Sequence, residues 1–115
     1  MEPKQIADEN ALETALAGHS FLLFKHSLIC PVSGRAFQEY RSFLEQHPAT
    51  PTAWLDVIGQ RPLSRALAER TGVKHESPQA LLFESGTVAW HASHGGITRH
   101  SLAAALAGQA GASGS

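Results

Sequence analysis

The 115-residue chain has a single cysteine, Cys30, and this scarcity limits its chemistry. One thiol cannot form an internal disulfide, which excludes a disulfide-stabilised secreted framework and makes a reducing cytoplasm the expected compartment. The N-terminal segment lacks the basic start and long apolar stretch of a signal peptide. No apolar run approaches the roughly 18 residues of a membrane span. We therefore expect a cytoplasmic protein with no membrane partner.

An excess of charge of either sign is also absent. Nine basic and ten acidic residues give a formal net charge of −1, so the chain has no basic footprint for nucleic acid. A hydrophobic content of 43% suits one globular domain, which we assign to residues 1–107. The low-complexity stretch at residues 108–115 predicts a disordered C-terminal tail.

Hydrophobic periodicity predicts the element order helix, strand, helix, strand, helix, strand, strand, helix. The first extended run, residues 21–25, is nearly all apolar, as in a strand covered on both faces. We expect the first helix between an N-cap at Asn10 and a stop at Gly18, and the last helix between Thr98 and about Gly108. The order predicts an α/β fold of the thioredoxin-like type, with a four-stranded mixed sheet flanked by helices.

Cys30 lies where the first strand ends and the strongest helical pattern begins. Pro31 is tolerated in a first helical turn because its missing N–H would be unpaired there anyway, which places Cys30 at or beside the helix N-cap. Unpaired amides and the helix dipole at such a position favour a thiolate. We interpret Cys30 as the catalytic nucleophile, against the alternative of a buried cysteine that acts as a small hydrophobe.

Four segments resemble the monothiol bacilliredoxin family of thioredoxin-like proteins. They are Phe-Lys-His-Ser from Phe24, Cys-Pro-Val-Ser from Cys30, Gly-Val-Lys-His-Glu-Ser-Pro-Gln from Gly72 and Trp-His-Ala-Ser-His from Trp90. The resemblance implies thiol–disulfide exchange with bacillithiol, a cysteinyl small thiol with malate carboxylates, as co-substrate and with no bound cofactor. It also implies S-bacillithiolated proteins as partners and a bacillithiol disulfide reductase system for recycling.

Ser33 stands where a thioredoxin has its resolving cysteine. A hydroxyl can donate a hydrogen bond to a thiolate but cannot attack a disulfide, so we expect a monothiol mechanism. Cys30 would remove bacillithiol from a modified protein and become bacillithiolated itself, and an external thiol would then release it. The alternative for Ser33 is an ordinary residue of the first helical turn.

The resemblance also implies a substrate groove around Cys30. Pro78 resembles the cis-proline that faces the reactive cysteine in thioredoxin-like folds, where it would turn the Ser77 backbone toward the thiol. The alternative is a trans proline that opens a strand. Lys25 and His26 would add positive charge near the thiol, although His26 also fits a solvent-facing strand end. The full set of expected substrate-binding residues is Lys25, His26, Pro31, Ser33, Ser77, Pro78, His91 and His94.

Histidines raise a competing hypothesis. His91 and His94, with Cys30 or His75, are residue types that bind zinc. Their His-x-x-His spacing at a strand end lacks the one-turn geometry of helical zinc motifs, so we predict no metal site. A His/Cys metal-binding protein and a noncatalytic thioredoxin-like adaptor remain the alternative functions.

Overall fold

A computed structural model describes residues 2–114, with side chains over residues 2–108, and shows one mixed sheet between two layers of helices. The predicted order of elements is confirmed, with one further strand at the start of the chain. The strands are β1 (Lys4–Gln5), β2 (Ser20–His26), β3 (Thr52–Asp56), β4 (Gln79–Glu84) and β5 (Thr87–Ser93), and the helices are α1 (Glu9–Leu16), α2 (Pro31–Gln46), α3 (Arg61–Thr71) and α4 (Arg99–Gly114), with a 3-10 turn at His94–Gly96.

The sheet has five strands in the order β1-β3-β2-β4-β5, one more than the predicted four. The additional strand, β1, is two exposed residues long and pairs with β3 in parallel. A two-residue strand is too short to show a period-two pattern, so the sequence gives no signal for it. At the centre, β2 pairs with β3 in parallel and with β4 antiparallel, which is the mixed sheet that was expected.

Side chains of β2 alternate between two hydrophobic cores, and this alternation positions the site. Leu23 belongs to the core that is covered by α1 and α3. Leu22 and Phe24 belong to the core that is covered by α2 and α4, against which Trp54 and Trp90 also pack. Because both faces of β2 are covered, the strand reads as a continuous apolar run.

The helix boundaries follow from local capping. The Ala11 amide donates to the Asp8 carboxylate at 2.8 Å, so Asp8 is the N-cap of α1 and the prediction of Asn10 is wrong. Both residue types are good N-caps, and the pattern alone does not separate positions two residues apart. Gly72 ends α3 with φ 73°, the left-handed conformation for which glycine is favoured at this position.

The last helix, α4, begins as predicted, because the Ser101 amide donates to Thr98 Oγ1 at 2.9 Å. It continues to Gly114, which is later than the predicted end at Gly108. Helical backbone therefore overlaps the predicted disordered tail, residues 108–115, of which Ser115 lies outside the described residues. The alanines of this segment favour helix strongly. None of the helices described here, α4 included, is long and apolar enough to cross a membrane.

Candidate functional site

Cys30 is the N-cap residue of α2, and Pro31 follows in its first turn. The cysteine has an extended backbone, and its carbonyl accepts the first helical hydrogen bond, from the Gly34 amide at 3.0 Å. The thiol is free and Cys30 is half-buried. The predicted placement of Cys30 at the strand-to-helix junction is therefore confirmed, at the N-terminus of a 16-residue helix, which is the positive end of the helix dipole.

Cys30 lines a cavity of about 380 Å³. The cavity lies between the starts of α2 and α3 and the loop before β4, and its volume is in the range of small-molecule sites. Arg61, Arg65, His75 and Ser77 line it together with the cysteine. The structure thus brings the thiol and two guanidinium groups to one concave surface.

The α3 wall of the cavity is cationic. Arg61 and Arg65 are exposed and lie one helical turn apart on α3. On the facing loop, His75 Nδ1 lies 3.1 Å from Ser64 Oγ. Burial, with the positive charges of Lys25 and Arg65, lowers the pKa of His75 against the opposing effect of Glu76. His75 is therefore neutral near pH 7, and the arginines supply the charge of this wall.

Lys25 is buried behind this wall and is 1% exposed. It lies opposite Gln79 in the antiparallel pair of β2 and β4. Burial lowers the pKa of Lys25 to about 8, while Glu76 acts in the opposite direction. Lys25 is thus mostly protonated at pH 7. It does not line the cavity that contains Cys30, so the structure does not place it where the expected contact with substrate would occur.

His26 points to the opposite face of the sheet from Lys25. Its Nδ1 lies 2.7 Å from Ser33 Oγ, and its ring stacks on Phe37 with 4.4 Å between centroids. Burial lowers the pKa of His26, although Asp56 opposes the shift. His26 is therefore neutral at pH 7, and the expected positive charge near the thiol is wrong. The solvent-facing alternative is also wrong, because His26 is 7% exposed.

Ser33 is completely buried and does not line the cavity. Its hydroxyl accepts the Ser27 amide at 2.9 Å and is paired with His26. These two hydrogen bonds tie the loop before Cys30 to the first turn of α2. The expected role of Ser33 in substrate binding is therefore corrected to holding this loop, because a hydroxyl without solvent access cannot reach a ligand.

The Ser77–Pro78 peptide bond is cis, as predicted. Pro78 is fully buried, whereas Ser77 lines the cavity that contains Cys30. The buried Ser77 hydroxyl has no hydrogen-bond partner among the side chains and backbone that the structure describes. Ser77 is thus the residue of this pair that shares a surface with the thiol.

The remaining predicted residues lie outside the cavity. Pro31 is exposed at the start of α2, and His91 is exposed on the edge strand β5. The His94 amide donates to the Pro78 carbonyl at 3.1 Å, and its ring Nε2 lies 3.7 Å from Glu76 Oε2. Neither histidine lines the cavity with Cys30. Within residues 2–108, no group of three or more His, Cys, Asp or Glu side chains could hold a metal ion.

Sequence reasoning missed Arg61 and Arg65. A signal for the arginines was present, because α3 is the next element after β3 in the chain. Parallel β2 and β3 have their carboxyl ends at the same edge of the sheet, so the starts of α2 and α3 are brought together there. Basic residues in the first turns of α3 could have been placed near Cys30 on this ground.

A cysteine at the N-cap of the helix that follows a central strand, with a cis-proline loop on the same cavity, is the arrangement of a protein of the thioredoxin fold. Comparison with solved structures supports this assignment of the fold. A solved protein with a thioredoxin fold is 33% identical, with a TM-score of 0.85 over 90% of this chain and 93% of that chain. The model of the monothiol bacilliredoxin family, BrxC, matches residues 4–102, and the chain belongs to this family.

Thioredoxins with little sequence similarity share the fold. The thioredoxin of Trypanosoma brucei brucei is 10% identical, with a TM-score of 0.73 over 92% of this chain and 88% of that chain. Oxidised thioredoxin from Plasmodium falciparum is 9% identical, with a TM-score of 0.73 over 94% of this chain and 98% of that chain. These two likenesses concern the fold alone. Family membership supports a bacilliredoxin-type redox function.

Proposed function

We propose that this protein removes bacillithiol from S-bacillithiolated proteins by thiol–disulfide exchange through Cys30. The observation that supports this most directly is the position of the chain's only thiol on a cavity wall that also contains Arg61 and Arg65. Membership of the bacilliredoxin family supports the class of reaction. The cationic wall supports a small thiol with negative charge, and the malate part of bacillithiol has such charge.

In the proposed step, the Cys30 thiolate attacks the bacillithiol sulfur of the mixed disulfide. A new S–S bond forms between Cys30 and bacillithiol, and the S–S bond to the modified protein breaks. The protein leaves as a thiolate and takes a proton from water. The disulfide is exchanged without an external oxidant, so Cys30 is oxidised to the mixed disulfide as the cysteine of the modified protein is reduced to a thiol.

Recycling of the protein requires a thiol from outside the chain, because Cys30 is its only cysteine. A second bacillithiol, or a partner of the bacillithiol disulfide reductase system, would attack the Cys30 mixed disulfide. In the first case the products are bacillithiol disulfide and the free Cys30 thiol. The buried Ser33 hydroxyl cannot perform this step.

A single-turnover assay tests the proposal. The purified protein is mixed with a model protein that has one S-bacillithiolated cysteine, and the released thiol is followed over time. We expect release by the wild-type protein and none by Cys30→Ser, whose fold is checked by circular dichroism. The same model protein modified with glutathione or cysteine serves as the matched comparison, and we expect bacillithiol to be removed fastest.

Each alternative outcome would change the assignment in a defined way. Equal rates on the three modifications would contradict bacillithiol selectivity and leave a general monothiol oxidoreductase. Faster removal of glutathione would contradict the proposed co-substrate. Absence of release from all three would contradict the enzymatic function and favour the noncatalytic adaptor.

A further inference from the structure

We infer that Arg61 and Arg65 form a carboxylate-binding subsite that selects disulfides whose small-thiol half is anionic. This inference rests on the proposed function, because it takes Cys30 as the attacking group. It adds the residues that recognise the small thiol and the chemical property that they select.

The two arginines are placed to act on one ligand. They are four residues apart on α3, so their side chains lie on the same face of the helix, and both line the cavity that contains Cys30. A guanidinium group binds a carboxylate through two parallel hydrogen bonds, which makes arginine well suited to such a ligand. Two adjacent guanidinium groups match a thiol with more than one carboxylate.

Neither arginine is neutralised by the protein. In the part of the chain with described side chains, the arginine ion pairs are Arg41 with Glu2 and Arg70 with Glu13, and neither Arg61 nor Arg65 takes part in one. Among residues 2–108, no aspartate or glutamate lines the cavity. The positive charge of the α3 wall is therefore unopposed within the cavity.

The buried Lys25 adds positive charge behind the α3 wall. Lys25 is buried close enough to His75 for its charge to lower the pKa of that histidine, together with Arg65. Two acids lie near the cavity without lining it: Glu76, 3.7 Å from the ring of His94, and Asp56, whose carboxylate accepts the Ile58 and Gly59 amides. The two cationic side chains that line the cavity are Arg61 and Arg65, and the Lys25 charge behind them is opposed in part by Glu76.

The surroundings of Cys30 separate the two halves of a mixed disulfide. Outside the cavity the cysteine is flanked by exposed apolar side chains, Leu28 at 62% and Ile29 at 82% exposure, and by Val32 at 45%. These residues suit the polypeptide half. Val57 and Ile58 also give the cavity apolar surface, so the cavity differs by its two arginines and by its volume of about 380 Å³, which suits a small molecule. Binding of the small thiol by the arginines therefore presents its sulfur, rather than the protein sulfur, to Cys30.

Three small disulfides test the subsite. Mercaptosuccinate, 2-mercaptoethanol and cysteamine, each joined to 2-thiopyridine, differ in the charge of the small thiol and share a leaving group. The Cys30 thiolate attacks the small-thiol sulfur, a Cys30 mixed disulfide forms, and pyridine-2-thione leaves with a proton and is measured by its absorbance. The quantity of interest is the ratio of the mercaptosuccinate rate to the 2-mercaptoethanol rate.

We expect this ratio to fall about tenfold in the double variant Arg61→Gln/Arg65→Gln, with a smaller rise for cysteamine relative to 2-mercaptoethanol. Arg35→Gln is the matched control, because Arg35 is exposed on α2 and does not line the cavity. Its ratio should equal that of the wild-type protein. A change in the reactivity of Cys30 itself would alter both rates by the same factor, so it cancels in the ratio of the mercaptosuccinate rate to the 2-mercaptoethanol rate.

The outcomes distinguish this inference from the proposed function. If the wild-type protein releases pyridine-2-thione from none of the disulfides, the proposed function fails. If release occurs and the double variant keeps the wild-type ratio, the subsite is contradicted while Cys30 exchange stands. An equal fall in Arg35→Gln would show a long-range effect of net charge and would also overturn the subsite.

Discussion

Lys25 and His26 are neighbours in β2 and both are buried, yet their side chains lie on opposite faces of the sheet. Lys25 lies on the α3 side, with the arginines and the cavity, and His26 lies on the α2 side, with Ser33 and Phe37. Burial lowers the pKa of both. Lys25 starts from 10.5 and retains its charge at pH 7 with a pKa of about 8, whereas His26 starts from 6.5 and is neutral.

The same physical effect therefore gives two different environments. On the α3 side, a buried cation reinforces a cavity wall for an anionic ligand. On the α2 side, a neutral imidazole is a packing and hydrogen-bonding group that holds the loop before the cysteine. The contrast predicts that changes on the α3 side alter stability through charge, and that changes on the α2 side alter it through packing and hydrogen bonds.

The largest expected effect is on the α3 side. Because the folded pKa of Lys25 is below its unfolded value of 10.5, the charged lysine disfavours the folded state below about pH 8. We expect Lys25→Met to raise the free energy of unfolding by about 3 kcal/mol at pH 7. The gain should fall to about 1 kcal/mol near pH 10, because the folded lysine is already neutral there and the pH approaches the unfolded pKa of 10.5. Urea unfolding of the wild-type protein and the variant at both pH values measures this gain in the free energy of unfolding.

Lys74→Met is the matched control, because Lys74 is an exposed lysine near the cavity. Its effect on the free energy of unfolding should be within about 0.5 kcal/mol at both pH values. A Lys25→Met variant that is less stable than the wild-type protein at pH 7, or whose gain is the same at both pH values, would show that buried charge does not distinguish the α3 side.

A smaller effect is expected from Ser33→Ala on the α2 side. The change leaves the buried Ser27 amide and His26 Nδ1 without their hydrogen-bond partner. We expect a loss of about 2 kcal/mol in the free energy of unfolding, measured with urea at pH 7. Ser42→Ala on the same helix is the control, since no side-chain hydrogen bond of Ser42 occurs among residues 2–108. Equal losses in the two variants would contradict the role of Ser33.

The smallest expected effect is the pH dependence of His26. Since burial places the folded pKa of His26 below 6.5, the unfolded state binds more protons as the pH falls through this range. The wild-type protein should therefore lose stability on acidification, relative to His26→Asn, which does not titrate. We expect its advantage over the variant, provided by ring stacking and the Ser33 hydrogen bond, to shrink between pH 7 and pH 5. An advantage that grows on acidification would mean that His26 is protonated in the folded protein.

Features with a local signal could be predicted from the sequence. Pro31 marks the first turn of the helix after Cys30, Gly72 marks the end of α3, and the apolar run of β2 indicates a strand covered on both faces. The cis bond before Pro78 was expected from resemblance rather than from periodicity. Each of these features depends on residues that are close in the chain.

Features that depend on the assembled sheet could not be predicted in the same way. The alternation of strand side chains places Lys25 and His26 on opposite faces, but it does not say which helix covers each face. The sequence also shows that Arg61 and Arg65 share a helix face. Placing them beside Cys30 requires, in addition to that pattern, the parallel pairing of β2 with β3. The complete burial of Ser33 likewise depends on how α2 packs against the sheet, and its position in the first turn of the helix does not reveal it.

The central claim is that Cys30 takes the small thiol from a modified protein, and intact-mass measurement tests it most directly. The wild-type protein is mixed with a stoichiometric amount of S-bacillithiolated protein, and the reaction is quenched with acid after one turnover. We expect the mass of one bacillithiol to appear on Cys30 as the modified protein loses it. Loss of bacillithiol from the substrate without any adduct on Cys30, or a disulfide between Cys30 and the substrate protein with bacillithiol released, would contradict the account.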